Sequence, residues 1–380
     1  MDIFNGAKPL GFGLMRLPLT NPNDGGSIDL ETAKKMVDTF ISRGFTYFDT
    51  ALMYCNGKSE AAVKEILSGR YPRESYTLAT KLHAGFIETK ADRDIRFEKQ
   101  LSDTGVDYFD YYLVHDVNSH SVEKYDRLHV WEWIRQKKEE GKIRHMGFSF
   151  HDGADLLDRV LTAHPEMEFV QIQLNYLDYD NPGVQSRACY EVCVKHNKPV
   201  IIMEPVKGGT LVNVGPEITE KFKAFHPDMS VASWAIRFAA SHENVKMVLS
   251  GMSNEEQLND NTSYMMDFKP LNEEEKMVIS EAVGILNGSI AIPCTGCAYC
   301  VDGCPMQIPI PKYFALYNGE MREDPDGKKG WTPQSEYYDN LTKNFGRASE
   351  CLECGQCEEM CPQHLPVIEN LKKVSGKFER

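Results

Sequence analysis

Eight short, mostly apolar segments recur through residues 10–251, and between them lie stretches of helical periodicity. The segments are Leu10–Met15, Phe45–Asp49, Thr77–Leu82, Tyr108–His115, Ile143–Phe150, Phe169–Asn175, Pro199–Pro205 and Val245–Gly251. Strands this short and this apolar suit a parallel sheet buried on both faces. The clearest helix is Leu30–Arg43, with Ala33, Met36, Val37, Phe40 and Ile41 on one face and Gly44 as a stop. Others run over 58–68, 91–104, 126–140, 153–163, 184–197 and 230–241. A further helix opens at Asn254, with Gln257 three residues on as its capping partner, and residues 272–287 read as one more. Eight alternations predict an α/β chain closed into a (β/α)8 TIM barrel. A doubly wound open sheet is the runner-up, but no strand is followed by a Gly-x-Gly-x-x-Gly turn, and Gly11-Phe12-Gly13 is only a fragment of one.

Barrels of this type carry their chemistry at the C-terminal ends of the strands. Strand two ends at Asp49, with Tyr54 just beyond; strand three ends at Lys81 and strand four at His115. Strand five ends at Ser149, strand six carries Gln171, and strand seven runs through Met203 and Glu204 to Lys207-Gly208-Gly209. Taken singly, each of these is a surface charge, a cap or a turn. Asp, Tyr, Lys and His at three consecutive strand ends form a proton-donating site. Tyrosine is a poor acid near neutrality. A Lys81 ammonium held by Asp49 is expected to lower the Tyr54 pKa. His115 is placed to hydrogen-bond a carbonyl oxygen while Tyr54 protonates it.

Lys and Arg number 42 against 56 Asp and Glu, a net charge of −14. That balance argues against nucleic acid and against an anionic membrane surface as partners. The first residues, Met1 to Gly6, lack a basic region followed by an apolar stretch, and no apolar run is long enough to span a bilayer, so a cytoplasmic location is expected. At 380 residues, 42% of them hydrophobic, the chain is long enough for two domains.

The cysteines mark the division. Three of the 11, Cys55, Cys189 and Cys193, precede residue 290, and eight lie between Cys294 and Cys361. Cys189, Val192, Cys193 and His196 fall on one helical face, which reads as a core stripe, and Cys55 reads as a loop bystander. The eight form two runs, Cys294-x2-Cys297-x2-Cys300-x3-Cys304-Pro305 and Cys351-x2-Cys354-x2-Cys357-x3-Cys361-Pro362. Zinc ribbons use separated Cys-x2-Cys pairs and have no need of a third close cysteine, and a disulfide framework does not suit a chain without a signal peptide. The spacing resembles that of bacterial ferredoxins, twice over, and implies two [4Fe–4S] clusters. By the two-cluster pattern the fourth cysteine of each run serves the other cluster. One set is then Cys294, Cys297, Cys300 and Cys361, the other Cys351, Cys354, Cys357 and Cys304. Residues 305–350 form an insert, with Asp324-Pro325-Asp326-Gly327 as a turn that Lys328–Trp331 continue as a polar loop, reaching over the clusters or the barrel mouth.

The stretch Phe48-Asp49-Thr50-Ala51…Tyr54…Gly57-Lys58-Ser59-Glu60, followed by Thr80-Lys81-Leu82 and Leu113-Val114-His115, resembles the aldo-keto reductase family over residues 8–262. The whole chain is similar to the subgroup carrying a C-terminal ferredoxin-type domain. The resemblance implies a barrel over 1–288, followed by a small α+β ferredoxin-like iron–sulfur domain over 289–380. It implies the catalytic tetrad Asp49, Tyr54, Lys81 and His115. It also implies NADPH or NADH held at the barrel's C-terminal face. The positions expected to touch that cofactor are Ser149, Gln171, Met203, Glu204, Lys207, Gly208, Gly251, Ser253, Gln257 and Asn261. Ser149 is followed by Phe150 where the family has asparagine, and Met203 stands where an aromatic ring stacks on nicotinamide. The segment Ser250–Gln257 has two glutamates and no Lys or Arg to bind a 2′-phosphate, so NADP and NAD both stay open. Lys207 is expected to reach a pyrophosphate. The expected reaction interconverts a small-molecule carbonyl and alcohol. The alternatives are electron exchange between the clusters and an external ferredoxin or flavoprotein, and clusters that are purely structural or sensory.

Overall fold

The computed structural model describes residues 3–379 except 289, 290, 295, 302 and 362. Met1 and Asp2, residue 289 where a second domain was expected to begin, Pro362 of the second cysteine run, and Arg380 thus lie outside the described residues. Eight parallel strands close into a barrel in sequence order. They are β1 (Leu10–Gly13), β2 (Tyr47–Asp49), β3 (Thr77–His83), β4 (Phe109–Val117), β5 (Ile143–Phe150), β6 (Phe169–Gln173), β7 (Val200–Met203) and β8 (Val245–Gly251). All eight expected segments are strands, and two match residue for residue. β3 and β4 run two residues past Lys81 and His115, so those side chains sit just inside the rim.

Helices cover the outside. The first, α1 (Leu30–Ser42), buries Ala33, Met36, Val37 and Phe40, and Asp29 caps it by accepting from Thr32 N at 3.1 Å. After it Gly44 takes φ +79°, a left-handed turn that glycine adopts without strain. The expected helix over 126–140 is broken in two, because His129 sits at φ +54° between Val122–Arg127 and Val130–Glu139. The main core lies between strands and helices. Inside the barrel, Tyr47, Tyr111, Leu113, Phe169, Ile201 and Met247 pack a floor that Phe4 closes from below. The free space is therefore at the opposite, C-terminal mouth. α2 (Glu255–Met265) and α3 (Glu273–Gly288) complete this part, and Asn254 caps α2 by accepting from Gln257 N at 2.8 Å.

After the barrel come α4 (Ile310–Glu323), α5 (Pro333–Thr342) and α6 (Val367–Phe378). Their core is separate: Ile308, Tyr313, Phe314, Leu316, Tyr338, Leu371 and Val374, with Cys294, Cys300, Cys304, Cys351 and Cys361 packed against it. Among the described residues this part holds helices and loops and no strand, where an α+β make-up was expected. The cysteine runs cannot extend as strands, because Gly296, Ala298, Glu353 and Gly355 all take positive φ and curl each run back on itself. The insert 305–350 holds the two helices α4 and α5, with the expected turn at 324–327 and the Lys328–Trp331 loop between them. Proline in the first turn of α4 and α5, and a Thr332–Ser335 capping box ahead of α5, start them. No helix among the described residues is long and apolar enough to cross a membrane.

Candidate active site at the barrel mouth

The loop after β2 turns sharply, with Cys55, Asn56 and Gly57 all at positive φ. Cys55 is buried there, and its thiol donates to Leu14 O at 3.5 Å, pinning the turn to the end of β1. The turn presents Tyr54 over the mouth. Lys81 Nζ donates to Asp49 Oδ1 at 2.6 Å, Thr50 O at 2.9 Å and Tyr54 Oη at 3.2 Å. Those three bonds use all three ammonium protons. Tyr54 Oη therefore accepts from Lys81, and its own O–H is left to donate elsewhere. The His115 ring stands edge-on to Tyr54 with centroids 6.2 Å apart. Tyr125 Oη fixes the end of β4 by donating to His115 O while accepting from Ala84 N. The structure thus brings Asp49, Tyr54, Lys81 and His115 together.

The electrostatics differ in one respect from the sequence expectation. Burial pushes the Tyr54 phenol up from its ordinary value; Lys81 pulls it down, and burial wins. Burial also works to lower Lys81, but Asp49 and Tyr54 outweigh it and hold the ammonium above its usual range. With Asp49 at 2.6 Å, the shared proton belongs on nitrogen. Burial and the neighbouring Lys81 charge keep His115 well below its usual range, so its imidazole is neutral at pH 7.

The expected cofactor contacts divide. Ser149 and Gln171 are register partners on β5 and β6. Gln171 Nε2 donates to Met203 Sδ at 3.5 Å, while its Oε1 is buried without a partner. An unfilled carbonyl there fits the amide N–H of a carboxamide, so the donor set at this point suits a nicotinamide. Ser253 Oγ donates to Arg16 O, Ser253 N donates to Gln257 Oε1, and Asn261 Nδ2 donates to Ser250 Oγ, which ties the β8 end together. The Arg16 stem lies 3.1–3.2 Å from where a Gly251 Cβ would stand. A cation thus arrives at this segment from the β1 loop, a contact that no local motif reveals.

Lys207 is not where it was expected. Its ammonium is buried and donates to both Asp178 oxygens at 2.8 Å, so it cannot reach a pyrophosphate. Asp178 also accepts from Gln173 and Asn175 Nδ2 at 2.9 Å. The neighbouring Gly208 has φ +61°, and a Cβ there would stand 2.6 Å from Glu323 Oε1 at the end of α4. Glycine takes this left-handed turn without strain and leaves room for the Glu323 carboxylate, which a Cβ would push aside. Glu204 at φ +54° turns its carboxylate back to accept from Gly208 N at 2.6 Å.

The C-terminal helices also cap the mouth. Asn340 Nδ2 donates to His151 O at 2.8 Å, His120 Nε2 donates to Asp339 O at 3.0 Å, and Asn118 Nδ2 donates to Glu336 Oε1 at 3.3 Å. His83, His151 and Glu336, none of them singled out in the sequence, join the surroundings of His115 in this way. Away from the mouth, Cys189 and Cys193 are core residues and His196 pairs with Asp158 at 2.6 Å.

The cysteines gather around two hollows. One is lined by Cys294, Cys297, Cys300 and Cys361 with Phe314 and Leu365. The other is lined by Cys304, Cys351, Cys354 and Cys357 with Ile308 and Leu371. Each takes three thiols from one run and the last from the other. Burial pushes the Cys300 and Cys357 thiols up to about 11, so without a cation they keep their protons. Four soft donors around an apolar hollow fit an iron–sulfur cluster.

A model of the aldo/keto reductase family matches residues 9–283, and one of a 4Fe-4S dicluster domain matches residues 293–365. A 4-dihydromethyl-trisporate dehydrogenase of Mucor mucedo is 27% identical over 171 residues, 39% of this chain and 53% of that protein. An NAD(P)H-dependent D-xylose reductase of Candida tropicalis is 27% identical over 165 residues, 37% of this chain and 51% of that one. The chain thus spans about half the length of these curated relatives. An uncharacterized oxidoreductase of Bacillus subtilis, YqkF, is 24% identical over 290 residues, 66% of this chain and 88% of its own. Among solved structures, an aldo-keto reductase from Klebsiella pneumoniae in complex with NADPH superposes with TM-score 0.57 at 21% identity, over 72% of this chain and 90% of that one. At that identity the likeness speaks for the fold alone.

Proposed function

The chain belongs to the aldo/keto reductase family, and from that premise we propose that it interconverts a small-molecule carbonyl and an alcohol with a nicotinamide cofactor at the barrel mouth. The observation that carries this is the Lys81 ammonium, saturated by Asp49, Thr50 and Tyr54, which leaves one phenolic proton aimed away from the lysine. A nicotinamide, when bound, supplies hydride to a carbonyl carbon. Gln171 and Ser149 hold its carboxamide side. Arg16, whose stem lies against Gly251, would supply the cation that Ser250–Gln257 lacks in its own sequence, so that a phosphorylated adenosine is acceptable. Neutral His115 orients the carbonyl oxygen by a hydrogen bond, and Tyr54 passes its proton to that oxygen. The phenolate left behind is stabilised by Lys81, which Asp49 keeps charged. In the alcohol-oxidising direction the same groups run in reverse.

Two [4Fe–4S] clusters are assigned to the two cysteine sets, in a domain beginning at residue 289. When bound they carry single electrons. Cys297 and Cys354 are exposed, one in each set, which favours exchange with an external redox protein as a second role. Relatives of the barrel part are named as NAD(P)H-dependent reductases, and this supports ranking the barrel chemistry first.

Replacing Tyr54 with phenylalanine is expected to abolish carbonyl reduction while leaving nicotinamide binding intact; full activity in that variant would remove Tyr54 from the mechanism. Anaerobic reduction of the clusters, followed by a panel of aldehydes and ketones with and without NADH or NADPH, tests the second role. Clusters that stay reduced throughout do not feed the site.

A further inference from the structure

One group of side chains at the mouth has no part in the proton transfer above. Asp116, at the end of β4, His151, just past β5, and Glu336, on α5, each turn one ligand atom inward, and the three atoms lie within 4.8 Å of one another. They come from three distant points of the chain and from both halves of the molecule.

Each is held for the purpose from its far side. Asp116 sits at φ +56°, a conformation aspartate tolerates when its side chain is anchored. His83 Nδ1 accepts from Gly85 N at 2.9 Å, which puts the ring proton on Nε2, 3.6 Å from Asp116 Oδ2. That leaves Asp116 Oδ1 inward, 3.3 Å from His151 Nδ1. Trp331 Nε1 donates to Glu336 Oε2 at 3.1 Å, leaving Oε1 inward. Asn118 Nδ2 touches both inward carboxylate oxygens, Asp116 Oδ1 at 3.0 Å and Glu336 Oε1 at 3.3 Å. Its amide cannot turn round, because Asn118 Oδ1 accepts from His120 N and Ser121 N at 2.9 Å. A separate observation points at an occupant. His151 Nδ1 is buried and makes no hydrogen bond of acceptable geometry, the Asp116 oxygen lying off its donor direction.

We propose that Asp116, His151 and Glu336 bind a divalent first-row metal cation that staples α5 of the C-terminal part onto the barrel mouth. One imidazole and two carboxylates are the donor set such ions favour, and two negative charges match a dication. Ligand bonds of about 2.0–2.2 Å put neighbouring donors about 2.8–3.6 Å apart at octahedral or tetrahedral angles. Asp116 Oδ1 and His151 Nδ1, 3.3 Å apart, already meet this, and the third atom, within 4.8 Å of them, closes by up to about an ångström as a cation binds. The Trp331 hydrogen bond to Glu336 Oε2 and the His83 ring 3.6 Å from Asp116 Oδ2 are the kind of outer support that metal-bound carboxylates ordinarily have. The site is distinct from both thiol sets, since harder donors face it and no cysteine is among them.

Mn2+ is the probe, because it discriminates against thiolates. The holoprotein, with its iron–sulfur clusters in place, is dialysed to equilibrium against Mn2+ and the bound metal counted. One Mn2+ per chain is expected, and Glu336→Gln and His151→Gln should each weaken binding by at least tenfold, with Glu350→Gln unchanged. Wild-type uptake no greater than that of Glu336→Gln, or binding unaltered in both variants, overturns the proposal. Where a variant fails to fold, the bound Mn2+ in the wild type is read by electron-spin-echo modulation. Nitrogen-14 coupling from one imidazole supports the site; bound Mn2+ without it overturns it.

Discussion

In the barrel, the Lys81 ammonium is saturated by three named acceptors before any ligand arrives. In the C-terminal part, eight thiols surround two hollows, and Cys300 and Cys357 are pushed up in pKa by burial first and by their thiol neighbours second. The first site has its lysine fully bonded and rests on a large core that wraps the whole sheet. The second is organised by loops at positive φ around apolar space, beside a small core into which the thiols themselves are packed. A polar site built on strands is preorganised by the fold; a thiol site built on loops is organised by what fills it.

Removal of iron should break this contrast open most widely. Anaerobic chelation is expected to make residues beyond 290 sensitive to protease while the barrel survives, as read by limited proteolysis and mass spectrometry. Continued protection of α4–α6 would show that the C-terminal part stands without its clusters. Next in size is Lys81→Met, which takes from Asp49 and Tyr54 the cation they share. It should lower kcat/KM for carbonyl reduction about 10³-fold and cost about 3 kcal/mol of stability, because Asp49 is left buried and unpaired. A variant that loses rate but no stability would mean the preorganisation needs no support.

Lys207→Met probes the seam between the two parts. It should destabilise by about 3 kcal/mol, since Asp178 stays buried without its cation, and nicotinamide affinity should be unchanged. A large rise in the nicotinamide dissociation constant would return Lys207 to the cofactor. The smallest effect belongs to the far end of the barrel. Burial works to raise Glu168, but hydrogen bonds from His145, Lys138 and Met146 N outweigh it and hold the carboxyl at about 2, against an ordinary 4.5. A depressed pKa contributes stability that is complete above pH 4.5 and fades as pH falls towards 2. Glu168→Gln should therefore cost about 1–2 kcal/mol at pH 7 and much less at pH 3, measured by denaturant unfolding. Equal losses at both pH values would mean that the charge is not what stabilises.

What was legible in the sequence follows the same division. All eight strands were readable, because segments buried on both faces must be apolar throughout. The thiol sets were readable because their spacing is local. Lys207 was misplaced because a cation shows in a sequence while its counter-ion Asp178, 29 residues earlier, does not. Arg16 at Gly251 and Glu336 beside His151 were invisible for the same reason: each contact joins points far apart along the chain. Helices α4 and α5 were hidden by the Pro, Gly and Asp between them, although Pro333 and the Thr332–Ser335 pair announce the second. The lowering expected for Tyr54 missed how deeply the phenol is enclosed, which no motif encodes.

Gly208 carries a consequence for how such a chain is inherited. Its missing side chain is what lets Glu323 settle on the loop after β7, with Gln334 lying between Glu323 and Lys207. The iron–sulfur half is therefore not an interchangeable appendix. Grafted onto a barrel with alanine at this position, it would press on the Glu323 carboxylate and strain a left-handed turn, and without the Asp178–Lys207 pair it would lose a buried ion pair beneath it. Transplants between relatives should succeed only when these five residues travel with the module, so the two halves diverge as one unit.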